Sequence, residues 1–183
     1  MLRIHRFTHL GRVNRVDVFV HWSVLAIAAI MLFGAIERPV TTLVGIACWI
    51  GVLLLHECGH VVAAQRRGSH VYEIRLYPIF ALTFFETPWS RFDHAIIAWG
   101  GVIAQAIVAL PVLLWIKFLG YTPFNVANEV LTLFGLFSLA VAFFNLLPFK
   151  GLDGYIAWQI VPAYIESVRR RKRQSAAGWR SYR

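Results

Sequence analysis

Four apolar stretches, at residues 18–36, 40–64, 95–119 and 126–147, dominate this 183-residue chain. A membrane-spanning helix needs about 20 mostly apolar residues, within a range of roughly 17–25, so each stretch is long enough to cross a bilayer. Hydrophobic residues make up 58% of the chain and charged residues only 15%, which leaves too much apolar surface for a disordered protein. The two cysteines, Cys48 and Cys58, both lie inside apolar runs, which excludes a disulfide-stapled secreted fold. A fifth apolar piece, at 155–168, is shorter and holds Pro162 and Glu166. It reads as a short interfacial or re-entrant helix. The first stretch exceeds the roughly 7–15 residues of a signal-peptide core and reads as an uncleaved span.

Basic residues set the expected orientation, because Lys and Arg collect on the cytoplasmic side of short loops. Arg3, Arg6, Arg12 and Arg15 precede the first span, and Arg66, Arg67, Arg75 and Arg91 lie between the second and third. The tail carries the run Arg169, Arg170, Arg171, Lys172, Arg173, whereas the opposite loops hold only Arg38 and Lys117. This pattern predicts a multi-pass protein of the cell membrane with both termini cytoplasmic. It also accounts for the net charge of +9 without a nucleic-acid partner, and leaves anionic lipid headgroups as the partner of the tail. No internal repeat or appended soluble domain is visible. Residues 1–168 read as one membrane-embedded domain and 169–183 as a basic cytoplasmic tail.

Between the second and third spans, Tyr72, Ile74 and Leu76 alternate with Glu73, Arg75 and Tyr77, the period of a strand. Pro78 breaks it and the apolar run 79–85 follows. The expected fold is therefore an all-α polytopic membrane protein with about four transmembrane helices. A small β-hairpin lies between the second and third, and a short interfacial helix near the C-terminus.

Ionisable residues inside a span are costly and point to function. The second span ends Leu55, His56, Glu57, Cys58, Gly59, His60, which is H-E-x-x-H on a helix. Residues four apart share a helical face, so both imidazoles reach one metal ion. Glu57, one step round, is placed to act on a water without binding the metal. A segment merely leaving the bilayer would favour Lys or Arg at its boundary, and those arrive only at Arg66. Cys58 points to nearly the opposite face from His56, which argues against a ligand role. Gly59, Gly100 and Gly101 fit close helix packing. His21 and Trp99 have packing or interfacial explanations, and His70 and His94 read as surface histidines.

A catalytic zinc takes three protein ligands and a water. The candidates for the third are Asp17, Glu37, Glu73, Glu86, Asp93, His94, Glu129, Asp153, Glu166, His5, His9 and His21. The fourth span returns toward the cytoplasmic end of the second and closes on Pro148, Gly151 and Gly154, which break the helix. Asp153 then falls near the depth of the histidines, on a loop able to turn inward.

His56–His60, followed by Asn145-Leu146-Leu147-Pro148 and Leu152-Asp153-Gly154, resembles the site-2 protease family, the intramembrane zinc metalloproteases of the peptidase M50 class. The resemblance covers roughly residues 40–155. It implies a core of three helices, with one zinc ion held by His56, His60 and Asp153 and Glu57 as general base. It further implies cleavage of a transmembrane protein substrate near the cytoplasmic side. Gln105 stands where the family usually has Asn, and the usual preceding Pro is missing. Gln105 and Asn145 are the candidates for positioning substrate. After Pro78 the family often has Gly-Gly, whereas here Ile79, Phe80 and Ala81 follow. The rivals to an endopeptidase are a catalytically inactive membrane scaffold that keeps the zinc site and binds partner helices, and a small metal transporter. The intact Glu57 argues against the first. The lack of an inverted repeat argues against the second.

Overall fold

The computed structural model of the chain describes residues 7–35 and 37–180, with side chains described to Arg170. His5, Arg3 and Arg6 lie outside the described residues. The chain opens on a hairpin, β1 (Phe7–Val13) and β2 (Val16–His21). Asn14 and Arg15 make its turn, with φ of 49° and 66°. That left-handed pair is what a two-residue hairpin loop requires. Along β2, Val16, Val18 and Val20 are buried, and Asp17, Phe19 and His21 alternate between them.

The expected first span is not one continuous helix. Residues 18–36 divide into the end of β2 and a helix, α1 (Trp22–Gly34), of only 13 residues, about 20 Å long. Alternating β-branched residues favour a strand, and their apolarity merges with that of the helix in a plain hydropathy reading. Among the described residues, three helices are long and apolar enough to cross a membrane. They are α2 (Pro39–Arg66), α3 (Arg91–Leu119) and the rod 125–145. The rod consists of α4 (Asn125–Thr132), a π-helical turn (Leu133–Phe137) and α5 (Ser138–Asn145).

The chain is also not all-α. The expected hairpin forms as β3 (Val71–Leu76) and β4 (Ala81–Phe85), and it joins the N-terminal hairpin in one sheet of order β1-β2-β3-β4. The central pair is parallel, with Val18 opposite Ile74 and Val20 opposite Leu76. Their shared face packs with Val61, Ala64 and Ile97 in one apolar core. The sheet is thereby fixed to the ends of α2 and α3 where the site lies, and β4 is left as an edge.

α2 and α3 approach at two glycines. A Cβ on Gly59 would collide with the carbonyl oxygen of Gly100, and one on Gly100 would meet the Gly59 carbonyl. After α5 the backbone turns through residues 146–153 into α6 (Gly154–Ala157) and α7 (Ile160–Arg180). Pro162 sits in the first turn of α7, where a missing N–H costs nothing. α7 runs on through residue 168 as one helix.

Candidate metal centre

One ligand atom from each of His56, His60 and Asp153 lies within 4.8 Å of the others. Asp153 Oδ2 is 2.8 Å from His56 Nε2 and 3.1 Å from His60 Nε2, and the two Nε2 atoms are 3.1 Å apart. The outer ring nitrogens fix what these atoms are. His60 Nδ1 donates to the carbonyl of Ile97 at 2.8 Å, and His56 Nδ1 donates to Gln105 Oε1 at 2.9 Å. A neutral imidazole with its proton on Nδ1 carries a lone pair on Nε2. Three acceptors therefore converge, and they require positive charge between them. The Asp153 carboxyl group brings an oxygen ligand to the two imidazoles.

The residues fit zinc. Four-coordinate zinc with bonds of about 2.0–2.1 Å puts its ligand atoms about 3.3 Å apart, close to the spacings here. A His/His/carboxylate set suits it chemically. Gly101 makes room, since a Cβ there would stand 2.6 Å from His56 Cε1 and 2.7 Å from His60 Nε2.

Asp153 reaches the histidines because its loop is tied at both ends. Its carbonyl accepts from Ile156 and Ala157, which starts α6. Trp158 Nε1 donates to Leu146 O at 2.7 Å, and Trp99 Nε1 donates to Ala157 O at 3.0 Å. Trp99 thus ties α6 to α3. The other acidic candidates are engaged or distant. Asp17 binds Arg12 and His9, Glu73 pairs with Arg75, Asp93 with Arg67 and Ser90, and Glu166 with Arg170. Glu37 and Glu86 are exposed, and Glu129 lies against Gly45. Of the histidine candidates, His9 is on the Asp17 cluster and His21 caps α1 through Ser23.

A cavity of about 1020 Å³ opens beside the three ligand atoms. Glu57 and Asn145 line it, with β4, α5 and the 151–153 loop. Sequence reading missed Thr83, whose hydroxyl donates to Glu57 Oε2 at 2.6 Å. Its signal was a lone hydroxyl in the apolar run 79–85. His94, read as a surface residue, is instead half-buried in the cavity wall, edge-on to Phe85. Gln105, a candidate for substrate, is fully buried behind His56 and does not line the cavity. Cys58 is a free thiol outside the ligand group.

No family model matches the chain. A protein of Synechocystis sp., provisionally named a zinc metalloprotease, is 34% identical over 119 residues, covering 59% of this chain and 30% of that one. The chain thus spans less than a third of the length of this relative. The structure resembles the site-2 protease from Methanocaldococcus jannaschii with a TM-score of 0.68 at 20% identity, over 86% of this chain and 72% of that one. At that identity the likeness is one of fold. The chain is thus similar over part of its length to a protein named as a zinc metalloprotease, and in fold to a site-2 protease.

Proposed function

We propose that this chain is an intramembrane zinc metalloendopeptidase, hydrolysing peptide bonds within or next to transmembrane segments of membrane proteins. The observation that carries the reading is the convergence of His56 Nε2, His60 Nε2 and Asp153 Oδ2 next to the Glu57 carboxylate at one cavity wall. A structural metal site has no use for a carboxylate that faces open space beside it.

A zinc ion held by these three residues would supply Lewis acidity toward the scissile carbonyl and the attacking water. Glu57 accepts a proton from that water and returns it to the leaving amine nitrogen. Thr83 holds the carboxylate in place from β4. A substrate helix must unwind before attack, and its freed amides need partners in an apolar cavity. The β4 edge offers them by strand addition, and the side-chain carbonyl of Asn145, whose Nδ2 donates to Val141 O, offers another at the cavity wall. The hairpin tip beyond β4 exposes Ile79 at 84% and Phe80 at 51%, apolar surface suited to lipid.

In this reading α1 crosses the membrane outward together with β2, and α2 returns to the sheet. The rod 125–145 then brings the chain back after α3, so that both termini are cytoplasmic in a multi-pass cell-membrane protein. The basic sequence that begins with the exposed Arg169 and Arg170 suits anionic headgroups.

The test is zinc content per chain in detergent-purified, untagged protein, paired with cleavage of a membrane-reconstituted single-span substrate panel. Wild type carries near one zinc, Asp153→Ala loses it, and Glu57→Gln keeps zinc without cleaving. A Glu57→Gln variant that matches wild type in every function would instead mark an inactive scaffold.

A further inference from the structure

We propose that Gln105 is a positioning residue of the metal centre: its side-chain carbonyl, by accepting a hydrogen bond from His56 Nδ1–H, fixes which nitrogen of His56 faces the ion. The inference rests on the zinc reading above and adds a residue to it.

Three positions on α3, each four residues from the next, bracket the two histidines. The Ile97 carbonyl holds His60, Gly101 leaves space for both rings, and the Gln105 carboxamide holds His56. Residues at this spacing lie on one helical face, so a single face of α3 orients both imidazoles. The two supports differ in kind. That of His60 is backbone and survives any substitution at 97. That of His56 is a side chain.

Gln105 is 0% exposed, and its other amide atom, Nε2, is buried with no hydrogen-bond partner among the described residues. An orphaned buried donor costs about 1–3 kcal/mol, and an apolar side chain of the same size would avoid that cost. The amide is therefore explained by its carbonyl end. The orientation also matters. Were the amide reversed, Nε2 would donate to His56 Nδ1 and drive the ring proton onto the nitrogen that faces Asp153, where it would block a metal. Gln105 lies outside the cavity lining, so contact with substrate does not account for it.

The test uses the full chain in detergent and compares wild type with Gln105→Met and Gln105→Glu. Zinc affinity is measured by chelator competition, and the cobalt(II)-loaded forms by their visible absorption. Loss of such an outer hydrogen bond typically costs 10–100-fold in metal affinity. Gln105→Met should fall in that range, with a changed cobalt band. Gln105→Glu keeps an acceptor and removes the orphaned donor, so it should bind zinc at least as tightly as wild type. A Gln105→Met protein with wild-type zinc affinity and cobalt spectrum overturns the proposal. If Gln105→Met fails to fold, Gln105→Glu decides: a tenfold or larger loss of affinity overturns it equally. Wild-type protein that binds no zinc would overturn the metal reading itself, a result distinct from either.

Discussion

Thr83 on β4 donates a 2.6 Å hydrogen bond to Oε2 of Glu57 on α2, joining the edge of the sheet to the carboxylate beside the ligand cluster. A hydrogen bond to a charged group contributes about 1.5–3 kcal/mol. Part of that goes here to holding the carboxylate in one orientation. Thr83→Val keeps the shape and removes the donor. It should lower the cleavage rate about tenfold and leave zinc content at the wild-type level, while Thr83→Ser should retain most activity. Equal rates for Thr83→Val and wild type would remove Thr83 from the machinery.

The β4 edge can be tested without disturbing the site. Tyr77 N–H donates to Phe80 O at the hairpin end, and antiparallel pairs alternate between hydrogen-bonded and open. With Leu76 opposite Ala81 and Arg75 opposite Leu82, the Ala81 N–H points to the free edge and the Leu82 N–H points to β3. Ala81→Pro should therefore leave the fold intact and reduce cleavage. Leu82→Pro should damage the hairpin itself. Limited proteolysis separates the two, and an Ala81→Pro protein that cleaves at the wild-type rate would exclude strand addition there.

Zinc should also stabilise the fold by linkage. A ligand at a thousand times its Kd that binds only the folded state contributes about 4.1 kcal/mol. Removing zinc by chelation should lower the thermal midpoint of the wild type, and adding zinc back should restore it. Asp153→Ala should start low and respond to neither treatment. A wild-type midpoint indifferent to chelator would mean that the three acceptors are neutralised by protons instead.

The site was more legible in the sequence than the fold around it. H-E-x-x-H has a fixed helical geometry, and the breakers Pro148, Gly151 and Gly154 marked Asp153 as backbone free to turn inward. Both signals are local. The N-terminal hairpin was hidden because Val16, Val18 and Val20 merge into the hydropathy of α1, although their alternation with Asp17 and His21 carries the strand period. The parallel pairing of β2 with β3 joins residues more than fifty apart, and no local pattern encodes it. The place of Gln105 was hidden for a related reason. A carboxamide in a span announces a hydrogen bond, but only the packing of α3 on α2 decides that its partner is His56.

That packing yields the last prediction. Gly59 and Gly100 each leave no room for a methyl group, because the other's backbone carbonyl occupies the space. Backbone cannot rotate aside as a side chain can, so Gly59→Ala or Gly100→Ala must push α2 and α3 apart. Overpacking of this kind typically costs about 1–3 kcal/mol, occasionally more. The damage should not stop at stability, since both outer hydrogen bonds of the histidines, to Ile97 O and Gln105 Oε1, cross the same helix pair. Zinc affinity and thermal midpoint should therefore fall together in these variants. Gly34→Ala is the control: nothing lies within 4 Å of its added Cβ, and alanine favours the helix end. Its midpoint should equal or exceed that of wild type, with zinc binding unchanged. Gly59→Ala protein that keeps full zinc affinity at a lowered midpoint would show that the ligands are held independently of the helix spacing.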